Sequence, residues 1–202
     1  DAIIAFWNAP LALPDHARRV VRAALRCQDA LAELRPAFFA RIEKEMFMRI
    51  GINTGPAVVG NLGSKTRFDY TMLGDAVNLA ARLEGVNKQF DTYTMISAAT
   101  REQMGEEFAA RELARVAVVG KSEPVTVFEP MWPSLFEARR RVLGAFDAAL
   151  SLFYDGRFLE AAAAFADIQA HDPPAARYRV KCKELAAAPP ENWEGVWVMR
   201  TK

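Results

Sequence analysis

Two rhythms of hydrophobic and polar positions run along this chain. Residues 1–7, DAIIAFW, are apolar and partly β-branched and predict a short buried strand. A loop with two prolines follows, and Asp15 then stands at an N-cap position. A helical pattern runs from there to about Arg35. Ala17, Val20, Val21, Ala24, Cys27, Leu31 and Leu34 recur on one face, with Arg18, Arg19, Arg22, Arg26 and Glu33 on the other. Met46–Asn53 and Ala57–Asn61 alternate on either side of Thr54-Gly55-Pro56, which predicts a hairpin. A polar loop, NLGSKTR, leads to a strand over Phe68–Leu73. The period then changes to helical over Asp75–Phe90, back to a strand over 93–97, and to a short helix capped by Ser97. Two strand-like runs between about Leu113 and Glu129 flank Gly120-Lys121-Ser122-Glu123-Pro124. Interleaved strands and helices of this kind predict an α+β or α/β sandwich, one sheet with helices packed on it. Beyond Met131 the chain is Ala-rich and predicts helices over about 134–155, 157–170 and 173–187. Breaks fall at Asp155-Gly156 and Asp172-Pro173-Pro174. In the tail, Trp193, Val196, Trp197 and Met199 suggest a docked anchor, with strand and helix equally open.

Within the Ala-rich part, AALSLFYDGRFLEAAAAF resembles one tetratricopeptide unit in its spacing of small and aromatic residues. A single unit cannot bury its own apolar face, so it should pack on the preceding domain or on a partner. Composition narrows the function classes. With 202 residues and 51% hydrophobic content, the chain can bury a core for one or two domains. Its 26 basic and 25 acidic residues give a net charge of +1, which argues against nucleic acid as a partner. No run of roughly 18 apolar residues predicts a membrane span. Cys27 and Cys182 lie far apart and outside any CxxC spacing, so buried thiols are expected rather than a disulfide or a zinc site. His16 and His171 suit local capping and turn roles. The first residue is Asp1, not Met, and no signal peptide follows it. The expectation is a processed product or a piece of a longer protein.

The informative stretch for chemistry is FDYTMLGDAVNLAARLEG, residues 68–85. Gly74-Asp75 ends a strand and starts a helix, where an Asp can cap or complement the positive helix end. Asn78 and Arg82 are four apart and share a face, while Leu79 and Leu83 fall on the neighbouring, buried face. An amide donor beside a guanidinium fork suits a phosphate-like anion. The plain alternative is a surface salt bridge at Arg82 with Asn78 incidental. There is no GxxxxGK[ST] loop, no GxGxxG opening a helix, and neither His lies near a nucleophile motif.

That stretch resembles the signature of the class III adenylate and guanylate cyclases. Three further segments do so in the same order: DAIIAFWNAP, RIGINTGPAVVGNLGS and VGKSEPVTVFEP. Together they span about residues 1–130. The resemblance implies an α+β fold, a ferredoxin-like sheet with helices packed on it and its first strands missing from this sequence. The domain division it suggests is 1–130 for the catalytic domain and 131–202 for an all-α extension with the Trp-containing tail. It also resembles, in that extension, bacterial cyclases with an upstream CHASE-type sensor. The implied reaction converts ATP (or GTP) to a 3′,5′-cyclic nucleotide and pyrophosphate, by attack of the 3′-hydroxyl on the α-phosphate with two Mg2+ or Mn2+ ions. Asp1 matches a metal Asp; the other belongs to an upstream strand. Asn78 matches the residue that orients the ribose, and Arg82 the residue that stabilises charge at the α-phosphate.

Three positions depart from the family pattern. Thr71 stands where an adenine-selecting Asp is usual, as in the class IIIb branch, and a hydroxyl does not choose adenine over guanine as a carboxylate would. The base-contacting Lys would precede Asp1. Val119 replaces a Lys that meets the triphosphate, and Lys121, two residues on, is the candidate substitute. Active sites in the family form between two subunits, which implies a head-to-tail homodimer with nucleotide at shared sites. The domain is expected to be cytoplasmic, with any anchoring in the inner membrane supplied by upstream segments. Residues 1–202 alone are expected to be inactive and the longer parent active. The competing expectation is a degenerate cyclase-like module that binds nucleotide or only dimerises, which Val119 favours and the Asn78/Arg82 pair opposes.

Overall fold

A computed structural model describes residues 2–63, 68–118 and 123–199. Thirteen elements follow one another among them: α1 (His16–Ile42), β1 (Ile50–Ile52), β2 (Val58–Gly63), β3 (Phe68–Leu73), α2 (Asp75–Phe90), β4 (Thr94–Ser97), α3 (Ala98–Gln103), β5 (Ala109–Ala117), β6 (Val125–Met131), α4 (Pro133–Tyr154), α5 (Phe158–Ile168), α6 (Pro173–Ala187) and β7 (Val196–Val198). Five strands form one sheet in the order β1-β4-β6-β5-β7, and β2 and β3 form a separate antiparallel pair. In the larger sheet β1 runs parallel to β4 and β7 parallel to β5, while β6 is antiparallel to both β4 and β5. The fold is α+β.

Strand β4 shows how the layers are made. All four of its residues are buried. Successive strand side chains point to opposite faces. Met95 accordingly joins the core with α2, while Ile96 joins Val21, Ala24 and Leu25 of α1. One face of the sheet is thus covered by α1, and the other by α2 together with α4, α5 and α6. Phe146, Phe153, Phe165 and Tyr178 of the later helices lie in the same apolar cluster as Leu79, Leu83, Val86 and Phe90 of α2. The Ala-rich helices therefore pack on the sheet domain. A buried ionic cluster ties the layers: Asp172, the residue before α6, accepts from Arg111 of β5 at 2.7 Å and from Arg139 of α4 at 2.7 Å. Arg111 also donates to Glu129 of β6 at 2.8 Å. Both arginines meet Oδ1; Asp172 makes no side-chain cap bond to α6, and its buried Oδ2 has no hydrogen-bond partner among the described residues.

Several local expectations need correction. Residues 2–7 carry no strand ladder, and Ile3 and Ile4 are exposed rather than buried. The hairpin joins β2 to β3, with Gly60 opposite Thr71; β1 pairs with β4 instead. Asn61, Leu62 and Gly63 belong to β2 and not to a loop. Helix α1 continues through Pro36 to Ile42. Asp15 makes no side-chain cap bond either, because its carboxylate binds Arg18 and Arg19 at 2.6 and 2.7 Å. Those two guanidinium groups hold its carboxyl at about 2, below its ordinary value. The tail forms strand β7, and among the described residues no helix is long and apolar enough to cross a membrane.

Cys182 is buried as expected, whereas Cys27 is exposed. Burial pushes the Cys182 thiol up to about 12, far from the thiolate form that reacts. A disulfide-exchange reagent at pH 8 should therefore titrate one thiol rapidly in the native protein and two after denaturation. Equal rates at Cys27 and Cys182 in the native state would contradict the packing around α6.

Candidate active site

Helix α2 carries two of the candidate residues, and its placement follows from the residues around it. Gly74, just before the helix, has φ +151°, a conformation open to glycine. A Cβ there would also stand 3.3 Å from the Pro56 carbonyl oxygen. The chain leaves β3, turns at this glycine and enters α2 with Asp75 in the first turn, where its charge suits the helix dipole. Leu79, Leu83, Val86 and Phe90 face the core.

Three attachments fix α2 against the sheet. At its start, Asn53 Nδ2 donates to the Ala76 carbonyl at 3.0 Å, and Ser97 Oγ donates to Asn53 Oδ1 at 2.7 Å. In its middle, Gly51 of β1 lies directly under the helix backbone: a Cβ on Gly51 would stand 2.2 Å from the Ala80 carbonyl oxygen and 2.2 Å from the Glu84 nitrogen. Toward its end, the buried Asn87 donates to the Ile50 carbonyl at 3.0 Å and accepts from Thr92 Oγ1 at 2.9 Å. These positioning residues were not singled out from the sequence. Gly51, Gly55 and Asn53 sit inside RIGINTG, where glycines are expected to serve turns and close packing, and Gly51 and Gly55 both allow close approach to α2. A Cβ on Gly55 would come within 2.9 Å of the Ala76 Cβ.

On the side of α2 away from the core, Asn78 is exposed and Arg82, one turn later, is half-buried. Arg82 Nη1 is shut off from solvent and has no hydrogen-bond partner among the described residues. A buried guanidinium nitrogen without an acceptor is costly unless something anionic meets it. Thr71 is half-buried in β3, opposite Gly60 and four positions before Asp75. Thr71, Asn78 and Arg82 thus share one strand-turn-helix unit. Asp1, Val119 and Lys121 lie outside the described residues. Among those residues no group of three or more His, Cys, Asp and Glu could hold a metal ion. The described side chains do not by themselves build a site for two Mg2+ or Mn2+ ions. The surface concavities at Gly156–Glu160 with Ala186, and at Arg101–Phe108, lie away from this unit.

Known proteins place this unit in context. The model of the adenylate and guanylate cyclase catalytic domain matches residues 1–129. Adenylate cyclase 1 of Rhizobium meliloti is 39% identical over 129 residues, which are 64% of this chain and 19% of that protein. The chain therefore spans about a fifth of the length of this relative. The solved structure of the adenylyl cyclase CyaB from P. aeruginosa is similar with a TM-score of 0.56 at 31% identity, over 61% of this chain and 63% of that one. That of the guanylyl cyclase Cya2 is similar with a TM-score of 0.53 at 33% identity, over 62% of each chain. Collinear motifs, an α+β sheet with α2 set on it, and a family match over most of the chain agree: this chain belongs to the adenylate and guanylate cyclase catalytic domain family.

Proposed function

We propose that the protein is a class III nucleotide cyclase that converts ATP to 3′,5′-cyclic AMP and pyrophosphate in signal transduction. The observation that carries this reading is the exposed face of α2, with Asn78 and Arg82 one turn apart and a buried Arg82 nitrogen lacking a protein acceptor. In the reaction the substrate 3′-oxygen forms a bond to the α-phosphorus and loses its proton, and the bond from that phosphorus to the pyrophosphate oxygen breaks. Negative charge gathers on the phosphoryl oxygens as the leaving oxygen departs. Arg82 is assigned to that charge, Asn78 to the ribose and Thr71 to the base. Lys121 is assigned to the triphosphate and Asp1 to metal binding.

Thr71 can donate or accept at a base edge, so it suits either purine. The relatives include both an adenylyl and a guanylyl cyclase. The test is a cyclase assay of the full-length protein with ATP and GTP side by side, in the presence of Mg2+ or Mn2+. Cyclic AMP is expected as the main product. Predominant cyclic GMP would reassign the substrate. No cyclic product, with nucleotide still bound, would favour the degenerate module that Val119 suggests.

The proposed assembly is a head-to-tail homodimer in which one chain supplies Asp1 and its partner Asn78 and Arg82. Mixing an Asp1→Ala chain with an Arg82→Ala chain should restore one intact site per dimer. Mixtures no more active than either parent would remove the shared site from the proposal.

A further inference from the structure

The tail beyond the family-matched segment reaches back to the end of α2. Strand β7 pairs in parallel with β5, Val196 with Arg115, Trp197 with Val116 and Val198 with Ala117. That ladder fixes the Trp197 ring edge-on to Phe90, the last residue of α2, with centroids 5.0 Å apart. The same ring meets Tyr178 of α6 edge-on at 4.9 Å. Phe90 also packs on Tyr178 at 5.9 Å, and Tyr178, fully buried, donates to the Leu113 carbonyl at 2.7 Å. Trp193 anchors the start of the tail by donating to the Phe153 carbonyl at 2.9 Å. At the residue following α2, Asp91 pairs with Arg177 of α6 at 2.8 Å. Edge-on aromatic pairs of this geometry add stabilisation beyond their burial.

We infer that the C-terminal strand is a positioning element for α2, with Trp197 acting through Phe90 to hold Asn78 and Arg82 in place. This rests on the cyclase reading for its catalytic consequence. The polar attachments of α2 lie at its start, through Asn53, and in its last turn, through Asn87, and both tie it to the β1 side. Phe90 is about two turns beyond Arg82, and the aromatic cluster meets the helix at that far end. Thr71, by contrast, lies in the separate two-stranded pair, which the tail strand does not join. The tail therefore governs where the arginine sits and leaves the base contact alone. Trp197 touches no reacting atom.

Two measurements on the full-length protein test this. Hydrogen exchange of Trp197→Ala should show faster exchange over residues 83–90 of α2 and along β5, with α1 and α3 unchanged. Trp197→Leu serves where the alanine variant does not fold, and Trp197→Phe should restore protection. Uniform acceleration across the domain, or none in α2, would overturn the positioning role, and this readout does not depend on catalysis. In the assay, Trp197→Ala should lower kcat about 10-fold or more, with KM little changed. In an Arg82→Ala background the same substitution should add nothing, since coupled residues do not add. An equal loss in both backgrounds marks a purely structural role and sinks the proposal. A parent with no cyclase activity but with local exchange in α2 would defeat the cyclase reading and leave the positioning claim standing.

Discussion

Replacing Arg82 by Ala should lower turnover of the full-length protein by about 100- to 1,000-fold, the usual loss when one preorganised donor to developing charge is removed. Arg82 Nη1 is buried, and no protein acceptor among the described residues accounts for that burial. Glu84, the nearest carboxylate in sequence, pairs outward with Arg49 at 3.1 Å. Truncation removes a desolvated group, so the unfolding free energy should move by no more than about 1 kcal/mol. Activity and stability are thereby separated. Arg82→Lys should recover little, because an ammonium on a flexible stem does not present the planar fork. Activity of Arg82→Ala within about threefold of the parent would remove Arg82 from the chemistry. A large drop in melting temperature with activity lost in proportion would reassign it to the fold.

How much of this could be read in the sequence depended on whether the deciding interactions were local. Helix α2 was expected over Asp75–Phe90 and occupies those residues, because its apolar period and the Gly74 break are carried within the segment itself. Ser97 was expected to cap α3, and its hydroxyl accepts from the Thr100 amide at 3.3 Å. The three Ala-rich helices also fall where Asp155-Gly156 and Asp172-Pro173 punctuate them. Strand pairing was less legible. Thr54-Gly55-Pro56 is turn-like, yet it joins β1 to β2 without a hairpin, because β1 finds its partner in β4 more than forty residues later. Nothing near Ile50 specifies Thr94. The continuation of α1 past Arg35 was hidden by Pro36. That proline is exposed, so the helix carbonyl it cannot serve can turn to water. The tail was undecided because Trp193 and Trp197 fit a helix as well as a strand; the open edge of β5 made the choice. At the site, the residue types of Asn78 and Arg82 were visible, but what holds them was not. Gly51 and Asn87 act through contacts with another element, which one-dimensional spacing does not record.

Gly51 gives the largest expected effect on the fold. In Gly51→Ala the new methyl carbon would meet the Ala80 carbonyl oxygen and the Glu84 nitrogen at 2.2 Å and the Leu83 carbonyl carbon at 2.8 Å. All three belong to the backbone of α2, so no side chain can swing aside. Either the helix lifts or strand β1 drops. A lift would loosen Leu79 and Leu83, both buried, and would stretch the bond from Asn87 to the Ile50 carbonyl. Overpacking usually costs about 1–3 kcal/mol and occasionally more. With rigid backbone on both sides, about 3 kcal/mol or more is expected here, a large share of the roughly 5–15 kcal/mol that holds a domain together. Gly144 provides the control. It lies inside α4 with nothing within 4 Å of a Cβ, so Gly144→Ala should stabilise by about 0.5–1 kcal/mol through the loss of glycine's backbone freedom. Chemical denaturation of both variants checks the pair of opposite signs. Should Gly51→Ala unfold at the parent's midpoint, α2 would not rest on β1 as closely as described, and the account of how Arg82 and Asn78 are held would lose its central support. Where Gly51→Ala does fold, the displaced helix should carry Arg82 with it, and cyclase turnover should fall in the surviving folded protein as well.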